Sequence, residues 1–280
     1  MSGTLYLCAT PIGNLEDMTY RAVRVLSEVD LIAAEDTRNS IKLLNHFDIK
    51  TKMTSYHEYN KYDKAAFLVG KLLEGLDIAL ITDAGTPGIS DPGEELVRQC
   101  WEAGVKVTSL PGACACINAL TVSGLPTRRF AFEAFLPHDK KERAKILEGL
   151  KNETRTIIIY EAPHHLKKTL ALLQETLGDR RLTVCRELTK RYEDKMQGSF
   201  SEMIAYYKEH EPRGEYVLVI EGKSFEDLTL EEQESWQEMS VEEHVAFYEG
   251  QGMDRKAAMK QAARDRGVSK RDIYQVLCKK

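Results

Sequence analysis

No apolar run in this chain approaches the roughly 20 residues that a membrane-spanning helix needs. The stretch Met1 to Thr10 has neither the basic residues nor the long apolar core of a secretion signal. Cysteine is sparse, six in 280 residues without regular spacing, which points to reduced thiols in the cytoplasm. Only Cys114 and Cys116 lie close together, and the seven histidines complete no zinc set, so no metal is expected. A basic excess is also missing: the net charge is −5, which excludes a global nucleic-acid footprint. Two phosphate signatures are absent as well. No G-x-G-x-x-G follows the first apolar run. Gly222-Lys223-Ser224 looks like the end of a Walker loop, but Val217 stands where its first glycine belongs.

What is present centres on Leu80 to Gly93. An apolar, branched run ends at Asp83, and a loop with Gly85, Gly88, Gly93, Pro87 and Pro92 follows. The run suits a buried parallel strand. The glycines permit backbone angles closed to other residues, and each proline fixes one angle. Asp91 reads as an N-cap with Pro92 at the first helical position and Glu94 three after the cap. In open α/β sheets, ligands bind outside the carboxyl ends of strands. Asp83, Ala84, Gly85, Thr86, Pro87, Ile89 and Ser90 are therefore the first candidate ligand loop.

Three further loops follow expected strands: Thr10 to Leu15, Glu35 to Arg38, and Pro111 to Cys114. The pattern predicts strands at Thr4–Ala9, Leu31–Ala34, Ile78–Thr82 and Val105–Leu110. Helices are predicted at Asp17–Glu28, Ile41–Phe47, Ala65–Leu76, Glu94–Ala103 and Ala113–Ser123. Strands and helices in alternation imply a parallel sheet covered on both faces. Gly124-Leu125-Pro126 breaks the pattern, so a first α/β domain is placed at 1–122 and a second at 123–224. The second has strands at Phe130–Phe135, Thr156–Tyr160, Leu182–Glu187 and Tyr216–Glu221, with room for antiparallel pairs. Its helices are expected at Lys140–Leu150, Pro163–Leu177 and Ser199–Lys208.

Residues 225–280 read as an acidic linker followed by a helix-turn-helix-like tail. Phe225 to Glu243 holds eight acids and no base; His244 to Lys280 holds nine bases and four acids. Ser240 with Glu243 and Ser269 with Asp272 fit capping boxes, and a helix is expected over Arg255–Arg266. Arg255, Lys256, Lys260, Arg264, Lys270 and Arg271 are candidate phosphate partners for RNA. The competing reading pairs these bases with the preceding acids.

The loops of the first domain offer an acid, small residues and backbone amides. That equipment suits an adenosine ligand with an amino-acid end and no phosphates, S-adenosylmethionine, whose sulfonium is best kept from Lys and Arg. Asp36 is either a substrate-facing acid or the N-cap of the next helix. Glu35 and Arg38 are either a surface pair or groups that meet RNA, and His57-Glu58 is a polar rim or a plain loop. Arg186 to Arg191 ends a strand and is a candidate phosphate contact through Arg186, Lys190 and Arg191. Lys140-Lys141 and Lys167-Lys168 read as solvated faces, and Pro163-His164 as a helix start. A ribose hydroxyl gains from a general base, for which Glu35, Asp36 and His57 are the candidates.

Several segments together resemble the ribosomal RNA small subunit methyltransferase I family. They are Thr10-Pro-Ile-Gly-Asn-Leu15, Ala33-Ala-Glu-Asp-Thr-Arg38, Asp83-Ala-Gly-Thr-Pro87, Ile89-Ser-Asp-Pro-Gly93, Ser123-Gly-Leu-Pro126 and Arg186-Glu-Leu-Thr-Lys190. Phe132-Glu-Ala-Phe-Leu-Pro137 and Tyr160-Glu-Ala-Pro-His164 are similar to the family's second-domain motifs. The resemblance spans most of residues 4 to 222 and implies the tetrapyrrole methylase fold: two α/β domains, a cofactor cleft between them, and a helical C-terminal extension. It implies S-adenosylmethionine as cofactor and a homodimer. The reaction it implies is 2′-O-methylation of a cytidine ribose in small-subunit ribosomal RNA, free or assembled. It adds Pro11, Ala113, Cys114, Glu161, Ala162, Gly214 and Glu215 to the expected cofactor contacts. The chain departs from the pattern at Pro111-Gly-Ala-Cys-Ala115, where the family usually has Pro-Gly-Pro-Ser-Ala, at Gly88, and at His165, often Arg. Two other classes stay open: a methyltransferase for a small macrocycle, and a non-catalytic cofactor-binding RNA module.

Overall fold

The structure is a computed structural model and describes residues 2–278, apart from the side chain of Glu232. Residues 1–148 and 156–221 form one compact unit, and residues 149–155 and 222–280 a second.

The first unit opens with β1 (Thr4–Cys8), α1 (Tyr20–Glu28), β2 (Leu31–Ala34) and α2 (Thr37–His46). Next come β3 (Met53–Ser55), α3 (Lys61–Leu73), β4 (Ile78–Ile81), α4 (Gly93–Glu102), β5 (Lys106–Leu110) and α5 (Ala115–Val122). The five strands form a wholly parallel sheet in the order β3-β2-β4-β1-β5. Side chains alternate along a strand, so β1, β2 and β4 each supply two cores. Leu5, Leu7, Ile78 and Leu80 face one way and meet Leu68 and Leu72 of α3 and Leu96 and Cys100 of α4. Cys8, Ile32, Ala79 and Ile81 face the other way and meet Val25 and Leu26 of α1 and Leu44 of α2. β1 and β4 are neighbours, yet their connections run to opposite sides of the sheet, toward β2 and β5. That is the arrangement that opens a crevice at the carboxyl ends.

The second sheet is built from β6 (Phe130–Phe135), α6 (Lys140–Leu150), β7 (Thr156–Glu161), α7 (Pro163–Leu177), β8 (Arg181–Arg186), β9 (Asp194–Ser199), α8 (Phe200–Glu209) and β10 (Tyr216–Ile220). Its order is β6-β7-β10-β8-β9, with β6 and β7 parallel and the other pairs antiparallel. The helix α5 does not cover the first sheet. Its Cys116, Ala119 and Leu120 pack on Ile158, Cys185, Val217 and Val219 of the second sheet.

Several boundaries differ from the pattern-based reading. The helix expected from Asp17 starts at Tyr20, because Thr19 caps it and Leu15–Asp17 form a separate single turn. The helix expected from Ile41 starts at Thr37, capped by Asp36. β3 and β9 were not expected. Both are edge strands whose residues are mostly half-buried or exposed, so neither carries an apolar alternation.

The second unit holds α9 (Phe225–Gln237), α10 (Val241–Gly250), α11 (Arg255–Asp265) and α12 (Lys270–Leu277). The acidic stretch is thus not a linker: α9 is a helix, capped by Ser224 with Glu226 and Asp227 in its first turn. Both expected capping boxes form. A small core of Val245, Ala258, Met259, Ala262, Ala263 and Ile273 joins the last three helices. The buried His244 ring stacks on Trp236 at 4.0 Å. Among the described residues no helix is long and apolar enough to cross a membrane.

Candidate active site

The loops after β1 and β4 are clasped together. Thr10 N–H donates to Gly85 O at 2.9 Å, and Gly85 N–H donates back to Thr10 O at 3.1 Å. The Thr10 hydroxyl donates to Thr82 O at 3.1 Å. Gly85 and Gly88 take φ of 91° and 86°, and Ser90 joins them at 65°. Gly93 does not have a positive φ. It is required for space, since a Cβ there would lie 2.7 Å from Asp91 Oδ1 and 2.8 Å from Gly88 N. Asp91 is also not the N-cap of α4; Pro92 holds that position. The Asp91 carboxylate instead accepts from the amides of Gly88 (2.8 Å), Ile89 (3.0 Å) and Gly93 (2.8 Å), which staples the loop to the helix start. Thr86 Oγ1 donates to Ala113 O at 2.8 Å and ties the loop to the segment after β5.

The acids meet at the ends of β2 and β4. Asp83 accepts from Asp36 N at 3.3 Å and from Asn39 Nδ2 at 3.2 Å. Glu35 is half-buried, and its carboxyl is raised from the ordinary value. Burial is the main cause; the Asp83 amide opposes it, and the Asp83 and Asp91 carboxylates reinforce it. Asp36 has the opposite setting. Hydrogen bonds from the Arg38 side chain (2.7 and 3.0 Å), then from the Arg38 amide, hold it down at about 2.

The second sheet supplies aromatic and acidic side chains. Ala134 takes φ of 51°, and the β6–β7 register slips between Phe132 and Phe135. Such a bulge re-aims side chains. Phe132 and Phe135, three apart, both set their rings edge-on to Tyr160, at 4.9 and 5.6 Å. The Tyr160 hydroxyl accepts from Cys116 N at 3.0 Å. Lys190 Nζ reaches Glu187 at 2.9 Å and Glu215 at 2.8 Å. Gly13 makes room for this lysine: a Cβ there would lie 2.3 Å from Lys190 Cγ. Gly214, at φ of 79°, passes so close that a Cβ would lie 2.4 Å from the Glu187 carboxyl carbon.

These walls enclose a cleft of about 610 Å³. Of the expected cofactor contacts, Asp83, Ala84, Gly85, Thr86, Ile89, Ser90, Cys114, Glu161, Ala162 and Glu215 line it. Pro11, Pro87, Ala113 and Gly214 do not, although each adjoins a residue that does. Of the candidate bases only Glu35 lines the cleft. Asp36 caps α2, and His57 precedes the turn at Glu58–Asn60, where its carbonyl accepts from Asn60 N at 3.0 Å and its amide donates to Asn60 Oδ1 at 2.9 Å. Arg38 stands at 88% side-chain exposure. Arg186 donates to Arg213 O, and Arg191 lies over the Tyr192 ring. Pattern reading missed Ile12, Thr82, Asp91, Phe135, Tyr160, Cys185, Leu188 and Val217, all of which line the cleft. Phe135 and Tyr160 stood inside the second-domain motifs and could have been found there; buried Cys185 and Val217 gave no signal beyond core.

The lining holds five carboxylates, those of Glu35, Asp83, Asp91, Glu161 and Glu215, and no Lys, Arg or His. A phosphate-bearing ligand would meet repulsion there, and a cation would not.

In the second unit, the candidate phosphate partners Lys256, Lys260, Arg264, Lys270 and Arg271 are exposed and carry no ion pair among the described residues. Arg255 reaches Glu249 at 3.6 Å. Two of the nine bases, Lys279 and Lys280, lie outside the described residues.

Fold and cleft together define a two-sheet α/β protein with an acid-lined, base-free pocket at its strand ends. A family model described as Tetrapyrrole (Corrin/Porphyrin) Methylases matches residues 4–204. The chain is 50% identical over 274 residues to "Ribosomal RNA small subunit methyltransferase I" of Halalkalibacterium halodurans, covering 98% of this chain and 94% of that one. The protein of the same name from Bacillus subtilis is 49% identical over 272 residues, covering 97% and 93%. The chain therefore belongs to the tetrapyrrole methylase family, and within it to the ribosomal RNA small subunit methyltransferase I proteins. Solved structures of similar fold include uroporphyrin-III-C-methyltransferase of Thermus thermophilus, with a TM-score of 0.55 at 21% identity over 78% of this chain and 94% of that one. A diphthine synthase gives a TM-score of 0.62 at 12% identity over 78% and 90%.

Proposed function

We propose that this protein uses S-adenosylmethionine to 2′-O-methylate a cytidine ribose in small-subunit ribosomal RNA, within the cytoplasm. The observation that carries the cofactor half is the cleft lining, with five carboxylates and no basic side chain. A donor that is itself a cation and has no phosphate fits that lining, and the cleft volume falls in the usual range for ligand sites, about 300–1,000 Å³. The backbone of Asp83 to Ser90, together with Cys114, Ala162 and Glu215, would hold the nucleoside and the amino-acid end, with Pro11, Ala113 and Gly214 shaping the wall. Bound there, the cofactor supplies an electrophilic methyl group. The RNA half rests on what the relatives' names say of them.

Glu35 is the base we assign, because it lines the cleft and burial raises its carboxyl, which makes it a stronger proton acceptor than an ordinary carboxylate. It would take the ribose hydroxyl proton as the oxygen attacks. Arg38, Arg186 and Arg191 would meet phosphates around the cleft; Lys190 is committed to Glu187 and Glu215 and would position that loop. We also propose a homodimer, which light scattering at working concentration checks, and two domains, 1–122 and 123–224, that close on the cofactor.

The deciding experiment is labelled methyl transfer into purified small-subunit RNA, followed by digestion to nucleosides. Label on a cytidine ribose is expected; label on a base, or none, overturns the reading. Calorimetry of Asp83→Ala combined with a bulky residue at Gly85 tests the site, and unchanged affinity in the folded variant would reject it.

A further inference from the structure

Cys114 and Cys116 bring two sulfurs within 3.4 Å of each other at the start of α5. Cys114 lines the cleft, whereas Cys116 is buried at 4% exposure. Both backbones are pinned: Asn118 Nδ2 donates to Cys114 O at 3.0 Å, and Cys116 N donates to the Tyr160 hydroxyl at 3.0 Å. The two thiols differ in character. The hydrogen bond from Cys116 draws the Cys114 thiol down to about 6; burial opposes this, and the amides of Ile117 and Cys116 assist. The same contact, then burial, pushes Cys116 up. Burial pushes the thiols of Cys8, Cys100 and Cys185 up, to about 12, 11 and 11. A thiolate is the nucleophile in thiol exchange, so among these five Cys114 is the one equipped to react.

We propose that Cys114 and Cys116 form a redox-sensitive dithiol that a small-molecule disulfide oxidises, and that its oxidation weakens ligand binding in the cleft. The Cys114 thiolate attacks one sulfur of the small disulfide, forming a mixed disulfide and releasing one small thiolate. Cys116, on losing its proton to solvent, attacks the Cys114 sulfur; the protein disulfide forms and the second small thiolate leaves and is protonated. Two protein sulfurs are oxidised and the two sulfurs of the co-reactant are reduced. A disulfide needs its sulfurs about 2.05 Å apart, so Cys114 must leave its place in the lining. Ala115 lines the cleft too, and the neighbouring Ala113 carbonyl holds Thr86 of the ligand loop. The effect on ligand binding rests on the cofactor proposed above; the thiol chemistry does not.

The test treats full-length protein with oxidised glutathione and maps its peptides by mass spectrometry. The peptide carrying Cys114 and Cys116 should lose two hydrogens while Cys8, Cys100 and Cys185 remain thiols. Cys116→Ser should trap one glutathione on Cys114. Calorimetry with S-adenosylmethionine should give an affinity about tenfold weaker in the oxidised protein, equal to roughly 1.4 kcal/mol, and dithiothreitol should restore it. Reaction at Cys114 no faster than at the exposed Cys278, or equal affinity in both redox states, overturns the proposal. Failure of the reduced wild-type protein to bind S-adenosylmethionine rejects the cofactor reading instead, and the peptide masses still decide the dithiol.

Discussion

At the residue scale, adjacent acids on one loop have opposite roles because their partners differ. Glu35 and Asp36 are indistinguishable by pattern. Arg38 stabilises the ionised form of Asp36, while burial beside Asp83 and Asp91 destabilises the ionised form of Glu35. Glu35→Gln should lower the methylation rate by roughly 10²–10⁴-fold with cofactor affinity kept. In the wild type the rate should climb with pH as Glu35 loses its proton, at a pH above its ordinary 4.5, and the variant should lack that limb. Asp36→Asn should keep both the cap and the rate. The stability effect has a definite sign. A carboxyl raised by folding favours the fold while protonated, and that contribution is lost as pH rises through the folded-state value. Urea melts near neutrality should therefore find Glu35→Gln no less stable than wild type.

At the element scale, the segment from Asp83 to Gly93 is a rigid device. It is clasped to Thr10, stapled by Asp91 and tied to Ala113. Gly85→Ala and Gly88→Ala should each cost about 1–2 kcal/mol, because both positions have positive φ. Only the first should also weaken cofactor binding. A Cβ at Gly85 meets Ile12 Cγ2 at 3.3 Å beside the cleft, whereas one at Gly88 meets nothing within 4 Å. Paired denaturant melts and calorimetry separate strain from obstruction; equal affinity losses would show that the loop acts as one body. Strands with two apolar faces, such as Ile78–Ile81, were legible from composition. β3 and β9 were not, since an edge strand is set by its neighbour more than by its own sequence.

At the scale of the whole molecule, two units have different chemistry. The first carries the acidic cleft; the second displays Lys256, Lys260, Arg264, Lys270 and Arg271, which carry no ion pair among the described residues. The local alternative pairs those bases with the acidic helix; among the described residues, Arg255 is the candidate with an acid partner, and that acid is Glu249 of α10. Lys256→Glu, Lys260→Glu and Lys270→Glu together should weaken RNA binding and flatten its salt dependence, by about one unit of slope for each phosphate left unneutralised. Calorimetry with S-adenosylmethionine should be unmoved. An unchanged salt slope would remove the tail from RNA binding. Ile273→Ala tests the unit's independence. It empties the centre of a six-residue core and should cost about 2–5 kcal/mol locally. Trp236 fluorescence in a Trp101→Phe background would report that loss, while cofactor binding persists.

The sequence by itself determined the alternation of strands and helices, the loop at Asp83 to Ser90, the capping boxes of the tail and the absence of phosphate-binding equipment. Each is local: it depends on spacing, on glycine and proline, or on a cap three residues from its partner. Only the tertiary structure decided which of three candidate bases faces the cleft, that α5 packs on the second sheet, and that Phe135 turns toward Tyr160. It also brought Glu161 and Glu215 to the cleft that Asp83 lines. These facts depend on strand order and on a bulge, which join residues well separated along the chain. Burial, and with it the proton affinity of Glu35, exists only once those distant segments have met.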